Sequence, residues 1–171
     1  MPSLVLMEVW DSGSKLRGEF KHATNQALDG CVRLDTPISY SLSGSGAMDT
    51  SSGVGGGGVH ISDVSFSQTM NTCSARLMER CALGKPLEKI IIHFFSGGAN
   101  DLVEVMTLHY NNVYVSHYSV SSMGGEGLPK ETVALSFQKF YVNEKEVENG
   151  RLVANSGYGW DIVRNCEWTA S

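Results

Sequence analysis

The sequence is short of charge. Asp, Glu, Lys and Arg together make up 18% of its 171 residues, against about 25% in ordinary soluble domains. Cations are scarcest: 13 Lys and Arg stand against 18 Asp and Glu, for a net charge of −5. No Lys/Arg cluster is longer than a pair. A nucleic-acid footprint needs a basic stripe that neutralises phosphates, so no nucleic-acid partner is expected. The same shortage argues against anionic membrane surfaces. Long apolar runs are missing too. Stretches such as Ile90-Ile91-Ile92 stop at three or four residues, whereas a spanning helix takes about 20, so no membrane span is expected. The first ten residues are apolar, but Glu8 interrupts them and no basic segment precedes them. They do not read as a signal peptide. The expectation is a chain that folds in the cytoplasm and leaves it only if a machine carries it.

Motifs for chemistry are absent as well. Cys31, Cys73, Cys81 and Cys166 form no C-x-x-C pair, so neither a zinc site nor a redox motif is signalled, and buried free thiols are expected. The four glycines at 55–58 are not followed by Gly-Lys-Ser/Thr, so they make no phosphate loop. No G-x-S-x-G elbow or H-E-x-x-H helix occurs. Two weaker seeds remain. His93, His109 and His117 fall on neighbouring expected strands and would converge if those strands pair, although satisfied strand histidines are commoner. Glu144, Glu146 and Glu148 recur at every second residue and read first as a solvated tail. No catalytic residue, cofactor or metal is assigned, and the chain is not read as an enzyme.

What is present is β-structure. Residues 32–42 alternate: Val32, Leu34, Ile38, Tyr40 and Leu42 share one parity and polar residues the other. That pattern turns one face to a core, and Pro37 puts the strand at an edge or a bulge. Residues 132–138 alternate likewise. Residues 4–10, 59–67, 87–95, 102–110 and 113–120 carry the β-branched and aromatic residues of strands. The apolar phase slips at Ser62-Asp63, as a bulge would absorb. Asn111-Asn112 and residues 97–100 read as turns of an antiparallel meander. One helix is expected over about residues 74–83. Ser74 would cap it, and Gly84, Lys85 and Pro86 would end it. Leu77, Met78 and Cys81 would form its packing face. A single helix among so many strands implies one all-β barrel or sandwich domain spanning 1–171. Residues 43–58 are the long Gly/Ser-rich loop, with seven glycines and four serines.

Three blocks carry a family resemblance. Residues 59–98 run from a strand into a helix with Ser74, Leu77, Met78, Cys81, Gly84 and Lys85, then into an apolar strand ending in Gly97-Gly98. Residues 119–140 pass from a Ser/Gly-rich turn into a strand bearing Glu131, Val133, Leu135 and Phe137. Gly159-Trp160-Asp161-Ile162 stands near the end. In order and spacing these blocks resemble the hemolysin-coregulated protein (Hcp) family of the type VI secretion system. The N-terminal twenty residues and residues 166–171 depart from its pattern.

The resemblance implies a two-sheet antiparallel β-barrel with one short flanking helix. It also implies a structural role: homo-hexameric rings stacked into a tube inside a contractile sheath and topped by a spike protein of the VgrG type. Such a tube carries effector proteins in its lumen and is secreted with them. The long loop would then be the arm that stacks rings, with Gly46, Met48, Thr50 and Val54 as contact candidates. Two alternatives stay open: a phage tail-tube-like structural protein, and a monomeric β-sandwich binding module that uses Trp10, Trp160 or Trp168 for sugars. Strand residues 102–110, apolar on both parities, need cover on both faces, from the same chain or from a second copy.

Overall fold

Apolar residues at alternate positions of long strands decide the architecture, because a sheet with one apolar face must curl that face around a core. In the computed structural model, residues 3–21, 26–35, 38–43, 60–97, 102–122, 124–125 and 127–170 are described. They form strands β1 (Ser3–Asp11), β2 (Ser14–Lys15), β3 (Val32–Arg33), β4 (Leu42–Ser43), β5 (His60–Ile61) and β6 (Val64–Thr69), then helix α1 (Ser74–Leu83). Strands β7 (Leu87–Ser96), β8 (Val103–Ser121), β9 (Lys130–Glu148), β10 (Arg151–Asp161) and β11 (Cys166–Glu167) follow. A short 3₁₀ turn, Gln26–Leu28, precedes β3.

All pairings are antiparallel. The main sheet runs β11-β10-β9-β8-β7-β1-β2, with β3 added to β1 and β6 added to β9. It closes on itself through the segment after β3. Leu34 bridges Gln68 and Ser39 bridges Ser65, both on β6, and the Asp35 amide donates to the Ser67 carbonyl at 2.9 Å. The circuit β6-β9-β8-β7-β1-β3-β6 is therefore a barrel, which leaves few open edges. Inward-facing Met7, Ile92, Leu108, Val64, Val133 and Leu135 fill it with 5% exposure or less.

The two-faced apolar pattern of residues 102–110 is covered only in part within the chain, since Val103 and Val105, the second parity, stay half-buried. Met106 packs on the inner core. Leu102 packs outside, where Leu28, Cys31 and Phe20 close over Leu6 and Phe95. Gly18 makes this cover possible, since a Cβ there would lie 2.5 Å from the Cys31 carbonyl oxygen.

Several expectations need correction. Residues 32–42 are not one strand: β3 and β4 are separate two-residue pieces. The phase slip at Ser62-Asp63 is a strand break, where the chain leaves the β4–β5 ladder for the main sheet. Asn111-Asn112 is no turn. Asn112 takes φ 49° inside a continuous nineteen-residue strand, because Asn111 and Val113 on either side of it pair with both β7 and β9. Glu144, Glu146 and Glu148 belong to β9 and alternate on its exposed positions, so they are no tail.

Helix α1 ends as expected, on Gly84 in the left-handed conformation with φ 63°. Its start differs, with Cys73 at the cap position and the Asn71 side-chain oxygen accepting the Cys73 amide at 2.8 Å. Of the expected packing face, Leu77 is fully buried and Cys81 touches the core. Met78 is 47% exposed: it lies off the buried stripe. Cys31 and Cys73 are buried free thiols, Cys81 is half-buried, and Cys166 is exposed. Burial pushes both the Cys31 and the Cys73 thiol up to about 11, leaving them poor nucleophiles.

Candidate assembly surfaces

Three features stand out beyond core packing. The first is a buried carboxylate. Glu131 has no exposed surface, yet it shares the inward parity of Val133 and Leu135 on β9. It accepts bonds from Gln68 Nε2 on β6 at 2.9 Å and from Ser74 Oγ on α1 at 2.9 Å. The Tyr118 hydroxyl on β8 donates to its other oxygen. A buried carboxylate is tolerated only when its lone pairs are satisfied, and here one side chain ties three strands to the start of α1. Ser74 serves this network and not the helix cap. Arg80 fastens the other end of α1, donating to Asp11 at 2.6 Å.

The second feature is a row of alternating charge across the outer face. Lys15 lies 3.2 Å from Glu8. His93 Nε2 meets Glu8 at 2.8 Å and His93 Nδ1 meets Glu104 at 2.6 Å. Lys145 pairs with Glu104. The row crosses β2, β1, β7, β8 and β9. Burial disfavours the charged His93 ring, but its bonds to Glu104 and Glu8 outweigh that and hold its pKa up at about 9. Burial likewise opposes ionised Glu104, and the bonds from His93 and Lys145 overcome it, lowering its pKa to about 2.

This row disposes of the histidine cluster. Both ring nitrogens of His93 are taken by carboxylates. His109 sits on the next strand, its pKa lowered by burial and by the His93 charge. His117 pairs with Ala134 far along β8 and is exposed. Among the described residues no group of three His, Cys, Asp or Glu is placed to hold a metal. The tryptophans do not form a platform either. Trp160 packs on the inner core, while Trp10 lies on the outer face under Lys89, 4.8 Å from its ring, and Trp168 lies near Lys139.

The third feature is an open strand edge. β10 pairs with β9 along its length, and β11 covers the other side only at Trp160 and Asp161. The Trp168 amide donates to the Gly159 carbonyl at 3.0 Å, and among the described strands none pairs with the outer edge of β10 from 151 to 158. Every side chain from Arg151 to Tyr158 is exposed, and Leu152, Val153 and Tyr158 expose 57%, 56% and 49%. β8 is bordered differently, because α1 packs beside it. Its pairing with β7 stops at Val113, although the strand runs on to Ser121. Sequence reading found neither the β10 edge nor β10 before Gly159, since Asn155, Ser156 and Gly157 carry weak strand propensity. The stacking candidates Gly46, Met48, Thr50 and Val54 lie outside the described residues.

Comparison with known proteins agrees with this architecture. The family described as type VI secretion system effector, Hcp, matches residues 35–143, more than half of the chain. Protein hcp1 of Pseudomonas aeruginosa is 28% identical over 111 residues, spanning 64% of this chain and 68% of that protein. Among solved structures, Hcp1 from Salmonella typhimurium superposes with a TM-score of 0.72 at 19% identity, covering 98% of this chain and all of that one. A type VI secretion system effector from Yersinia pestis gives 0.66 at 16% identity, covering 92% and 99%. A further type six secretion system protein gives 0.82 at 16% identity, covering 98% and 100%. These solved structures share the fold, and the sequence match carries the family: the chain belongs to the Hcp family of type VI secretion proteins.

Proposed function

We propose that this chain is a structural subunit of a type VI secretion tube and works as one β-barrel unit without a chemical step. The observation that carries the reading is the unpaired edge of β10, flanked by exposed Leu152, Val153 and Tyr158. A free edge invites another strand, and monomeric proteins normally blunt theirs with charge, proline or cover. Here Arg151 is the only charged residue from 151 to 159. An open strand edge on β10 suits head-to-tail contacts that close into a ring. Six copies per ring, stacking into a tube, the contractile sheath, the VgrG-type spike and effector proteins in the lumen are the finer reading that family membership supports. So is residence in the cytoplasm until the machine exports the protein.

Native mass spectrometry with two-dimensional electron-microscopy averages tests this reading. Annular particles of six chains are expected. The arm formed by the glycine-rich loop would act between rings, so shortening residues 46–57 should leave rings intact and reduce their stacking. Equal tube length from the shortened chain would remove the loop from that role.

A further inference from the structure

The barrel has a mouth that none of the foregoing uses. A cavity of about 370 Å³ opens between the inner face of β8-β9-β10 and the small β4–β5 ladder, a size in the usual range for small-molecule sites. Strand register orders its walls in layers. Tyr110 pairs with Phe140, and together with Phe137 they make an aromatic floor; the Tyr110 and Phe137 rings lie 4.5 Å apart. One layer up, Val142 pairs with Tyr158. At the rim, Glu144 pairs with Ser156. Tyr40, Leu42 and Ile61 form the facing wall.

Four residues separate floor from rim along β9, roughly 13 Å at strand rise. The site is thus apolar and aromatic at depth, with one carboxylate at the opening. Glu144 is the only charged residue among the described lining residues. Two wall residues at the opening, Tyr40 and Leu42, leave 44% and 55% of their surface exposed.

The geometry points to a binding site for a small amphipathic cation: an alkyl or aryl body on the Phe140 floor and an ammonium group at the rim, held by Glu144 and the faces of Tyr40 and Tyr158. Glu144, the one carboxylate among the described lining residues, sets the charge, the rings add attraction for a cation over their faces, and the register fixes a body a few carbons long. Anions are rejected by the same carboxylate, and short cations without an apolar body leave the floor unfilled.

Titration of the full chain with phenylbutylammonium, phenylbutanol and phenylbutyrate, followed by methyl NMR shifts of Leu42, Ile61 and Val142, tests it. Saturable shifts are expected, with the cation about tenfold tighter than the alcohol and the anion weakest. The exposed substitution Glu144→Gln should erase the preference of cation over alcohol. Tyr40→Ala should weaken the cation and the alcohol together, and Tyr40→Phe should restore binding. Equal affinity of the three probes, retention of the cation preference in Glu144→Gln, or no saturable shift at these methyls would overturn the proposal.

Discussion

The two halves of β9 live in different surroundings. From Lys130 to Leu135 the strand lies between β6 and β8, with Glu131, Val133 and Leu135 fully buried. From Lys139 to Glu144 it lies between β8 and β10, from Lys145 to Glu148 its printed pairing among the described strands is with β10, and the β10 beyond it is exposed along eight consecutive residues. One strand therefore runs from a closed barrel into an open flange. The barrel half satisfies its backbone and side chains within one chain. The flange half leaves a hydrogen-bonding edge and apolar surface unused, which marks where a second copy would add stability.

The sharpest way to break this contrast is at the barrel end. Glu131→Ala strips the acceptor from Gln68, Ser74 and Tyr118 and leaves buried donors unmet, so chemical denaturation should show a loss of about 3 kcal/mol. An unchanged midpoint would mean that Glu131 is not the tie between α1 and the strands.

A smaller effect is expected from the charged row. The pKa of His93 is raised from 6.5 to about 9, so its contribution is full below about 6.5 and is lost as pH rises through about 9. That of Glu104 is lowered from 4.5 to about 2, so its contribution holds above about 4.5 and is lost as pH falls through about 2. Stability should be broadest between these limits. His93→Gln should remove a step on the order of 2 kcal/mol between neutral and alkaline pH. If the variant and parent lost stability in parallel up to pH 10, the row would be an exposed decoration.

The smallest effect on a single chain belongs to the flange. Leu152→Lys with Val153→Lys alters exposed positions only, so the unfolding free energy should move by less than about 0.5 kcal/mol per site. Any larger loss would show that the flange is packed within its own subunit.

Much of this contrast is legible in the sequence, for a physical reason. Alternation along residues 132–138 and the helix punctuated by Gly84 are local signals, and they place β9 and α1. The two-residue strands β3, β4 and β5 are not legible, because partners far along the chain define them and no periodicity fits in two residues. Asn111-Asn112 misleads because Asn111 and Val113 pair with strands on both sides and carry the ladder past Asn112. Met78 misleads because helical spacing fixes a stripe only to within its rim. Of the notable sites, Glu131 left a trace: a carboxylate in the apolar parity of its strand predicts either a partner network or an error of register. The His93 bridge left none, since Glu8, His93 and Glu104 meet only through strand register. The β10 edge was hidden because openness is a property of topology: the sequence of a strand does not say whether a neighbour stands beside it.

The central claim is that copies of this chain join through the free edge of β10. The direct test is native mass spectrometry of the parent chain beside the Leu152→Lys, Val153→Lys variant at equal concentration, with thermal unfolding of both. The account predicts sixfold particles for the parent and single, equally folded chains for the variant, because lysines on an edge oppose strand addition. A parent that stays a single chain at high concentration, or a variant that still forms the same ring, would contradict it.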